Sequence, residues 1–557
     1  MLVVTGGFVT TASGLRISAR SPIPAFTFAA IALLVWAFAA RRSSALAGDL
    51  SALDAWLTDR VRWLIAAIVI AGTITTIAFN SFSANGSDAS GYLSQAAMLL
   101  RGDLTFSEPL APIAKWADGE ATLAPLGWRA VGNGLQVPTY AIGLPLLLAP
   151  LHAIGGAPLA SLMVPVTFGA AIAGTALLAF RIGGPFAALI ASVWFATSPV
   201  ALVESMQVMS DVPVTAAWLL CWWLVFQRQA LTAGVVAAIA VLIRPNIAPV
   251  ALLPFLYVLL NEGAHAKRLS SGAAAAGFAI PVAVAGVAVG YLQWRYFGSP
   301  FNSGYGAATE IYSVANIAPN ARLYAGWLFE SHGPWLLAAP VAVAVTSRRT
   351  DLLWLFGFAA AVVAAYLAYS QFEVWTYLRF LLPALTIAMI GVAAMLASLV
   401  TRLASMWRVP VLATLLLTLA AVNLLSAIQH DVFRFAERNV RARVVGERLG
   451  AMLAVNATIV SGEQSGAMRY YTNRTILRWD VMDDATMRDA IEWVTLNGYQ
   501  VWVVLDDWEE EPFRRRHPTL AAIALDYEPT VESAAGVGIR TRAWRARRFM
   551  ARSSNNE

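Results

Sequence analysis

The length of its apolar runs restricts this chain more than anything else. The stretch "RWLIAAIVIAGTITTIAFN" (62–80) is one of many such blocks, and they lack the one-sided periodicity of a surface helix. An apolar run of about 18 residues or more crosses a bilayer as a helix, because only there does each backbone polar group find a partner within its own segment. With 58% hydrophobic and 13% charged residues the chain falls outside the soluble globular range. The expected fold is an all-α polytopic membrane protein of about 11–13 transmembrane helices, followed by a small α/β domain. Candidate spans lie at 23–40, 62–80, 137–154, 158–180, 185–201, 212–227, 231–260 (one or two), 272–292, 335–347, 352–370, 378–400 and 409–429.

Basic residues orient these spans. Arg41, Arg42, Arg60, Arg62, Arg228, Lys267, Arg268, Arg348, Arg349, Arg402 and Arg408 sit in short connections and belong in the cytoplasm. The formal charge of +6 matches such loops and gives no reason to invoke nucleic acid. The long connection 81–136 leans acidic and is placed outside, with 293–334 and 371–377. Two crossings at 137–154 and 158–180 would put Arg181 outside, however. Either one segment of 137–211 fails to cross, or Arg181 breaks the rule. Near the N-terminus, Arg16 and Arg20 precede the first run and "AFA" (37–39) resembles a cleavage site. Arg41 and Arg42 follow at once, which favours an uncleaved helix.

Beyond residue 430 the apolar blocks end. Residues 431–557 read as a water-soluble domain on the outer side, after 1–61 (N-terminal helix and cytoplasmic loop) and 62–430 (the transmembrane module). Strand-like runs at 457–462, 475–480 and 499–507 alternate with helical ones, as in a small parallel α/β layer. Asp484 is the expected N-cap of "DATMRDAIEWVTLNG". The basic tail "IRTRAWRARRF" reads as a final strand with a solvated face, or as a patch for anionic headgroups. The single Cys221 excludes an intramolecular disulfide, and the five histidines have no metal spacing.

Several polar residues stand where chemistry at a membrane surface would need them. Asp88, in "SANGSDASGYLSQAA" (83–97), follows the 62–80 run by eight residues. It suits an N-cap, or a general base taking a proton from a hydroxyl. Tyr92, four residues on, shares its helical face. Lys115, Trp116, Trp128 and Arg129 lie in the same long connection, whose aromatic content argues for packing on the membrane surface. Glu204 and Asp211 stand between two spans, and Arg244 lies in the apolar "AVLIRPNIAPVALLPFLYVLL". Glu373, Tyr377 and Arg379 head another span. An arginine at the bilayer centre costs about 2.5–3.5 kcal/mol on insertion scales, so such residues face a cavity or a partner. A guanidinium there suits a phosphate, whose oxygens its fork can hold in pairs. Asn302 and Tyr305, in "WRYFGSPFNSGYGAATEIYS", offer amide and aromatic faces to a sugar.

The order of these motifs resembles the GT-C superfamily of membrane glycosyltransferases. The matching features are the acid of the first outside loop with its x3-Tyr, then "YAIGLPLLLAPLHAIGG", "SDVP" after "SP", "LIRPN" and "YLRFLLPAL". The likeness spans about residues 62–400 and includes the protein O-mannosyltransferases, the lipid A aminoarabinose transferase and the bacterial RgtA/B/C/D-like group. The mannosyltransferases often show adjacent Asp-Glu where this chain has Ser87-Asp88-Ala89, which favours the bacterial group. The resemblance implies a polyprenyl-phosphate sugar as donor, Asp88 as base, and Arg244 and Arg379, with Lys115 and Arg129 behind them, as ligands of the lipid phosphate. The implied reaction is inverting transfer of a hexosyl or pentosyl unit to a hydroxyl of an envelope glycan, lipid or protein, outside the cytoplasmic membrane. No cofactor is required by this chemistry. A divalent metal stays open, with Glu204 and Asp211 as its candidates. An oligosaccharide ligase or polymerase uses the same kind of donor, and a lipid-glycan transporter would also bury arginines.

Overall fold

The computed structural model describes residues 8–12, 15–19, 31–32, 35–36, 38, 43–261, 270–533 and 538–547. The expected span 23–40, its cleavage site and the loop with Lys267 and Arg268 fall largely or wholly outside the described residues. Seven helices among the described residues are long and apolar enough to cross a membrane, or eight if the bent pair Val314–His332 and Pro334–Val345 is one span. The expected eleven to thirteen also included 23–40 and three apolar helices too short to qualify here, Asp211–Phe226, Ala230–Ile243 and Pro245–Leu260, and counted Met163–Thr197 as two spans. The first described span is longer than expected: a single helix runs from Ser44 to Ala78, capped by the Ser43 side chain, and takes in residues expected to be loop.

Contacts between helix ends show which loops share a face. Arg181 pairs with Asp351 at 2.8 Å and lies over the Phe226 ring, just before Arg228. Thr346 donates to the Ile182 carbonyl, and Arg408 pairs with Asp54. Arg181 therefore joins Arg228, Arg348, Arg349, Arg402 and Arg408 on one basic face.

Two glycine kinks explain how it gets there. Gly184, at φ +79°, reverses the helical stretch Met163–Thr197, so that Phe168 and Phe195 meet with ring centroids 5.7 Å apart. A straight helix would hold those residues about 40 Å apart, so the stretch is a hairpin of two passes. Gly156, at φ +64°, bends Gly143–Ser161 in a similar way. That segment has the length and composition of a span, yet both its ends lie opposite the basic face. Gly143 sits against Leu242 and Ile243, at the end of one helix, and the Ser161 carbonyl meets Asn80, at the end of another. It does not carry the chain across, which resolves the count in favour of a non-crossing segment.

The described residues beyond 430 build a C-terminal domain around a five-stranded mixed sheet. In spatial order its strands are Val531–Glu532, Thr541–Arg545, Gln500–Asp506, Ala457–Ser461 and Thr475–Arg478. The last three run parallel, as expected, and Thr541–Arg545 joins antiparallel. The cap of the helix after 483 is Asp483, which accepts from the Thr486 amide, and not Asp484. Two arginines of the tail strand are paired rather than free: Arg542 with Asp507, Glu510 and Glu532, and Arg540 with Glu532.

The first long connection packs onto this domain. Trp116 lies 5.6 Å from Trp493, and Leu110, Ala111, Trp116 and Leu123 share a core with Val503, Leu505 and Phe513. Arg469 and Glu108 form a buried ion pair across the junction. The aromatic residue expected on the membrane surface is thus buried against protein. Residues 81–136 and 431–547 together cover the face opposite the basic one.

Candidate active site

Breaks in the helices place the polar side chains. Helix Ala230–Ile243 stops because Pro245 has no amide hydrogen to donate, and its ring forces the preceding residue into an extended conformation. Arg244 adopts φ −143° and ψ 82°, and its side chain turns inward where the next 3-10 stretch, Pro245–Ala251, begins. A second 3-10 stretch, Trp375–Leu381, presents Arg379 before helix Leu382–Thr401. Helix Gly86–Leu100 begins with Asn85 at the cap position, and Asp88 sits in its first turn rather than capping it. A carboxylate is favoured there by the exposed amides of the helix start.

These elements bring five charges together. Arg379 lies 3.2 Å from Asp88, 3.7 Å from Glu204 and 3.8 Å from Asp211. Arg244 pairs with Asp211 at 2.8 Å and donates to Ser210 Oγ and to the Tyr366 hydroxyl. Glu204 and Asp211 are fully buried, whereas the Asp88 side chain keeps 30% of its surface exposed. Phe380 lies beneath both guanidiniums, at 5.2 Å and 5.5 Å, and stacks on Tyr366. Tyr377 flanks Arg379 at 4.7 Å. Burial raises the Glu204 carboxyl above its ordinary range, with Arg379 opposing. Burial and then Asp88 raise the Tyr92 hydroxyl, which stays protonated and able to donate.

A cavity of about 960 Å³ opens on this cluster. Asp88, Tyr92, Arg244, Tyr377 and Arg379 line it, with Tyr140 and Tyr305. An apolar part of its lining comes from the helix Ser271–Phe297 and from residues on either side of Arg244, and includes Val241, Pro249, Val289 and Phe297. Gly286 belongs to that lining, and nothing lies within 4 Å of where its Cβ would stand. The same helix exposes Ile280, Val284 and Val287 outward, as a lipid-facing helix does.

The remaining candidates lie elsewhere. Arg129 lines the cavity from an exposed position. Lys115 and Glu373 are exposed and do not line it. The Asn302 amide donates to the Phe297 carbonyl and holds a turn. Glu204 is in the charge cluster without lining the cavity. Glu204 and Asp211 face arginines, and among the described residues no three His, Cys, Asp or Glu side chains gather as a metal ion would need. Sequence reasoning missed Ser210, Tyr366, Phe380 and Arg478, the last of which reaches the cavity from the C-terminal domain. Phe380 adjoins Arg379 in "YLRFLLPAL", but nothing local marks Tyr366.

The helical module with its short 3-10 breaks, the first loop folded over the charge cluster and the α/β domain beside it make up a fold that recurs among solved structures. ArnT from Cupriavidus metallidurans bound to undecaprenyl phosphate shares it, with a TM-score of 0.52 at 12% identity over 86% of this chain and 97% of that one. The apo state of that ArnT gives 0.53 at 12% identity, covering 89% and 98%. The Archaeoglobus fulgidus oligosaccharyltransferase gives a weaker likeness, 0.48 at 12% identity over 80% of this chain and 70% of that chain. No family model and no curated protein matches the sequence.

Proposed function

We propose that this chain is an inverting glycosyltransferase that moves a sugar from a polyprenyl-phosphate donor to an acceptor hydroxyl on the outer side of the cytoplasmic membrane. One observation carries the reading: a partly exposed carboxylate and two largely buried arginines line one cavity together with a set of apolar side chains. A lipid-linked sugar has that same division, with an apolar tail, an anionic phosphate and a polar glycosyl group. The ArnT structure with the same fold carries undecaprenyl phosphate, which fits such a donor.

In this mechanism Asp88 takes the proton of the acceptor hydroxyl. The resulting oxygen attacks the anomeric carbon from the side opposite the phosphate, the bond to the phosphate oxygen breaks with its electron pair, and the configuration inverts. Arg244 and Arg379 stabilise the departing polyprenyl phosphate, because preorganised charges in a site of low dielectric act strongly on developing charge. Asp211 and Glu204 hold the two guanidiniums in place. The acceptor, an envelope glycan, lipid or protein, enters beside the soluble domain, where Arg129 and Arg478 stand. Sugar transfer from a panel of polyprenyl-phosphate sugars, with purified protein and acceptors from an envelope extract, tests the reading. Label should move to the acceptor one unit at a time. Ladders of repeated units would instead indicate a polymerase, and lipid moved without chemistry a transporter.

A further inference from the structure

We propose that the C-terminal domain positions Asp88 through Gln464, which holds the start of the helix that carries it. The inference rests on the reading of Asp88 as the base. The first amides of a helix have no partner within it, and a side chain at the cap position usually supplies one. Here the cap residue, Asn85, makes no such bond and donates instead to Asn439. The Gly86 amide donates to Oε1 of Gln464, 378 residues further along, at 3.2 Å. Gly86 has φ +62°, a conformation that a side chain would strain, so the chain enters the helix at an angle fixed at that residue.

Gln464 is itself held. It is fully buried, and its Nε2 donates to Asp506 at 2.9 Å. Asp506 in turn accepts two bonds from Arg441 and one from Thr541, at the centre of the α/β domain. A continuous polar path therefore runs from the sheet of the C-terminal domain to a point two residues before Asp88. The surroundings fit close docking. The Ala84 amide donates to the Tyr471 hydroxyl, Arg443 donates to the Phe82 carbonyl, and the Leu126 amide donates to Ser465. A Cβ at Gly466 would stand 2.4 Å from Ser90 Oγ, so the helix Ser465–Thr472 touches the first turn of the Asp88 helix directly. Gln464 is a positioning residue: it touches no substrate and acts through Asp88.

Four full-length proteins test this: wild type, Gln464→Met, Asp88→Asn and the double variant. Each is assayed for sugar transfer from undecaprenyl-phosphate sugars and for hydrogen exchange at residues 86–90. Misplacing a reacting group by about 1 Å costs up to ~10²-fold in rate. Gln464→Met should therefore lower kcat by between about tenfold and a hundredfold with donor KM unchanged. It should speed exchange at 86–90 and add nothing on the Asp88→Asn background. Unchanged kcat, or an equal loss on both backgrounds, overturns the proposal. If Gln464→Met does not fold, Gln464→Asn withdraws the oxygen by one methylene and takes its place. A wild type that moves no sugar overturns the transferase reading instead; unchanged protection at 86–90 in the variant would then overturn the cap as well.

Discussion

Among the described residues one charge cluster stands at the cavity and another lies in the C-terminal domain, and they differ in how completely they are satisfied. In the domain, Oδ1 of Asp506 accepts from Arg441 and Thr541, and Oδ2 from Arg441 and Gln464. At the cavity, both oxygens of Asp211, one of Glu204 and Nε of Arg379 lack a well-aligned hydrogen bond despite their ion pairs. A closed cluster fixes a structure. The cluster at the cavity is held at these atoms by ion pairs of looser geometry, and three of its members, Asp88, Arg244 and Arg379, line the cavity itself. Burial alone does not separate the two roles; the bonding inventory does.

The largest effect expected is on the open cluster. Asp88→Asn should lose about 10²–10⁴ in transfer rate, the usual contribution of a general base, with an unchanged thermal transition. Near-normal transfer by that variant would remove Asp88 from the chemistry and leave the contrast without its functional side. The closed cluster should respond in stability. Arg441→Ala strands Asp506 without its ion-pair partner, and breaking a buried pair costs about 3–5 kcal/mol. Hydrogen exchange along strand Gln500–Asp506 would show it, and a smaller change would mean that water enters the cluster. For Arg244→Lys, which keeps the charge but loses the fork, donor affinity should fall by about tenfold, the worth of one charge-assisted hydrogen bond. An unchanged donor KM would assign Arg244 to holding Asp211 alone.

A smaller effect concerns pH. Burial pushes the Glu509 carboxyl up to about 7, against hydrogen bonds from the Asp506 and Glu463 amides that favour its ionised form. Between its unfolded value of 4.5 and about 7, the folded domain therefore holds a proton that the unfolded chain releases. The stability linked to this group is complete below 4.5 and declines as pH rises to about 7, at up to ~1.4 kcal/mol per pH unit. The domain should melt higher at pH 5 than at pH 8, and Glu509→Gln should flatten that slope. A variant keeping the wild-type slope would assign it to another group. Smallest of all, Lys115→Ala should change transfer less than about twofold, as surface substitutions away from a site usually do; a larger loss would extend the open cluster to the connection 81–136.

Much of the architecture was legible because apolar blocks and basic loops act locally. The 62–80 and 378–400 spans, the position of 81–136 opposite the basic residues, and the alternation of strands after 430 each follow from a few adjacent residues. The short helices and the glycine reversals were harder. Gly184 and Gly156 turn the chain within apolar runs, and nothing in hydropathy separates a hairpin from a long helix.

By itself, then, the sequence determined that the chain must enter a bilayer, that Pro245 ends a helix at Arg244, and that Asp88 stands just past a span. These are consequences of neighbouring residues. Only the tertiary structure decided that Asp88, Arg379, Glu204, Asp211 and Arg244, drawn from positions 88 to 379, share one cluster, and that Phe380 and Tyr366 pack around it. It also decided that Lys115 lies apart from the cavity and that Gln464 reaches Gly86. The physical reason is the same in each case. Charges are driven together by the cost of burying any of them alone, and that pairing is set by how the helices pack rather than by how far apart the residues lie in the chain.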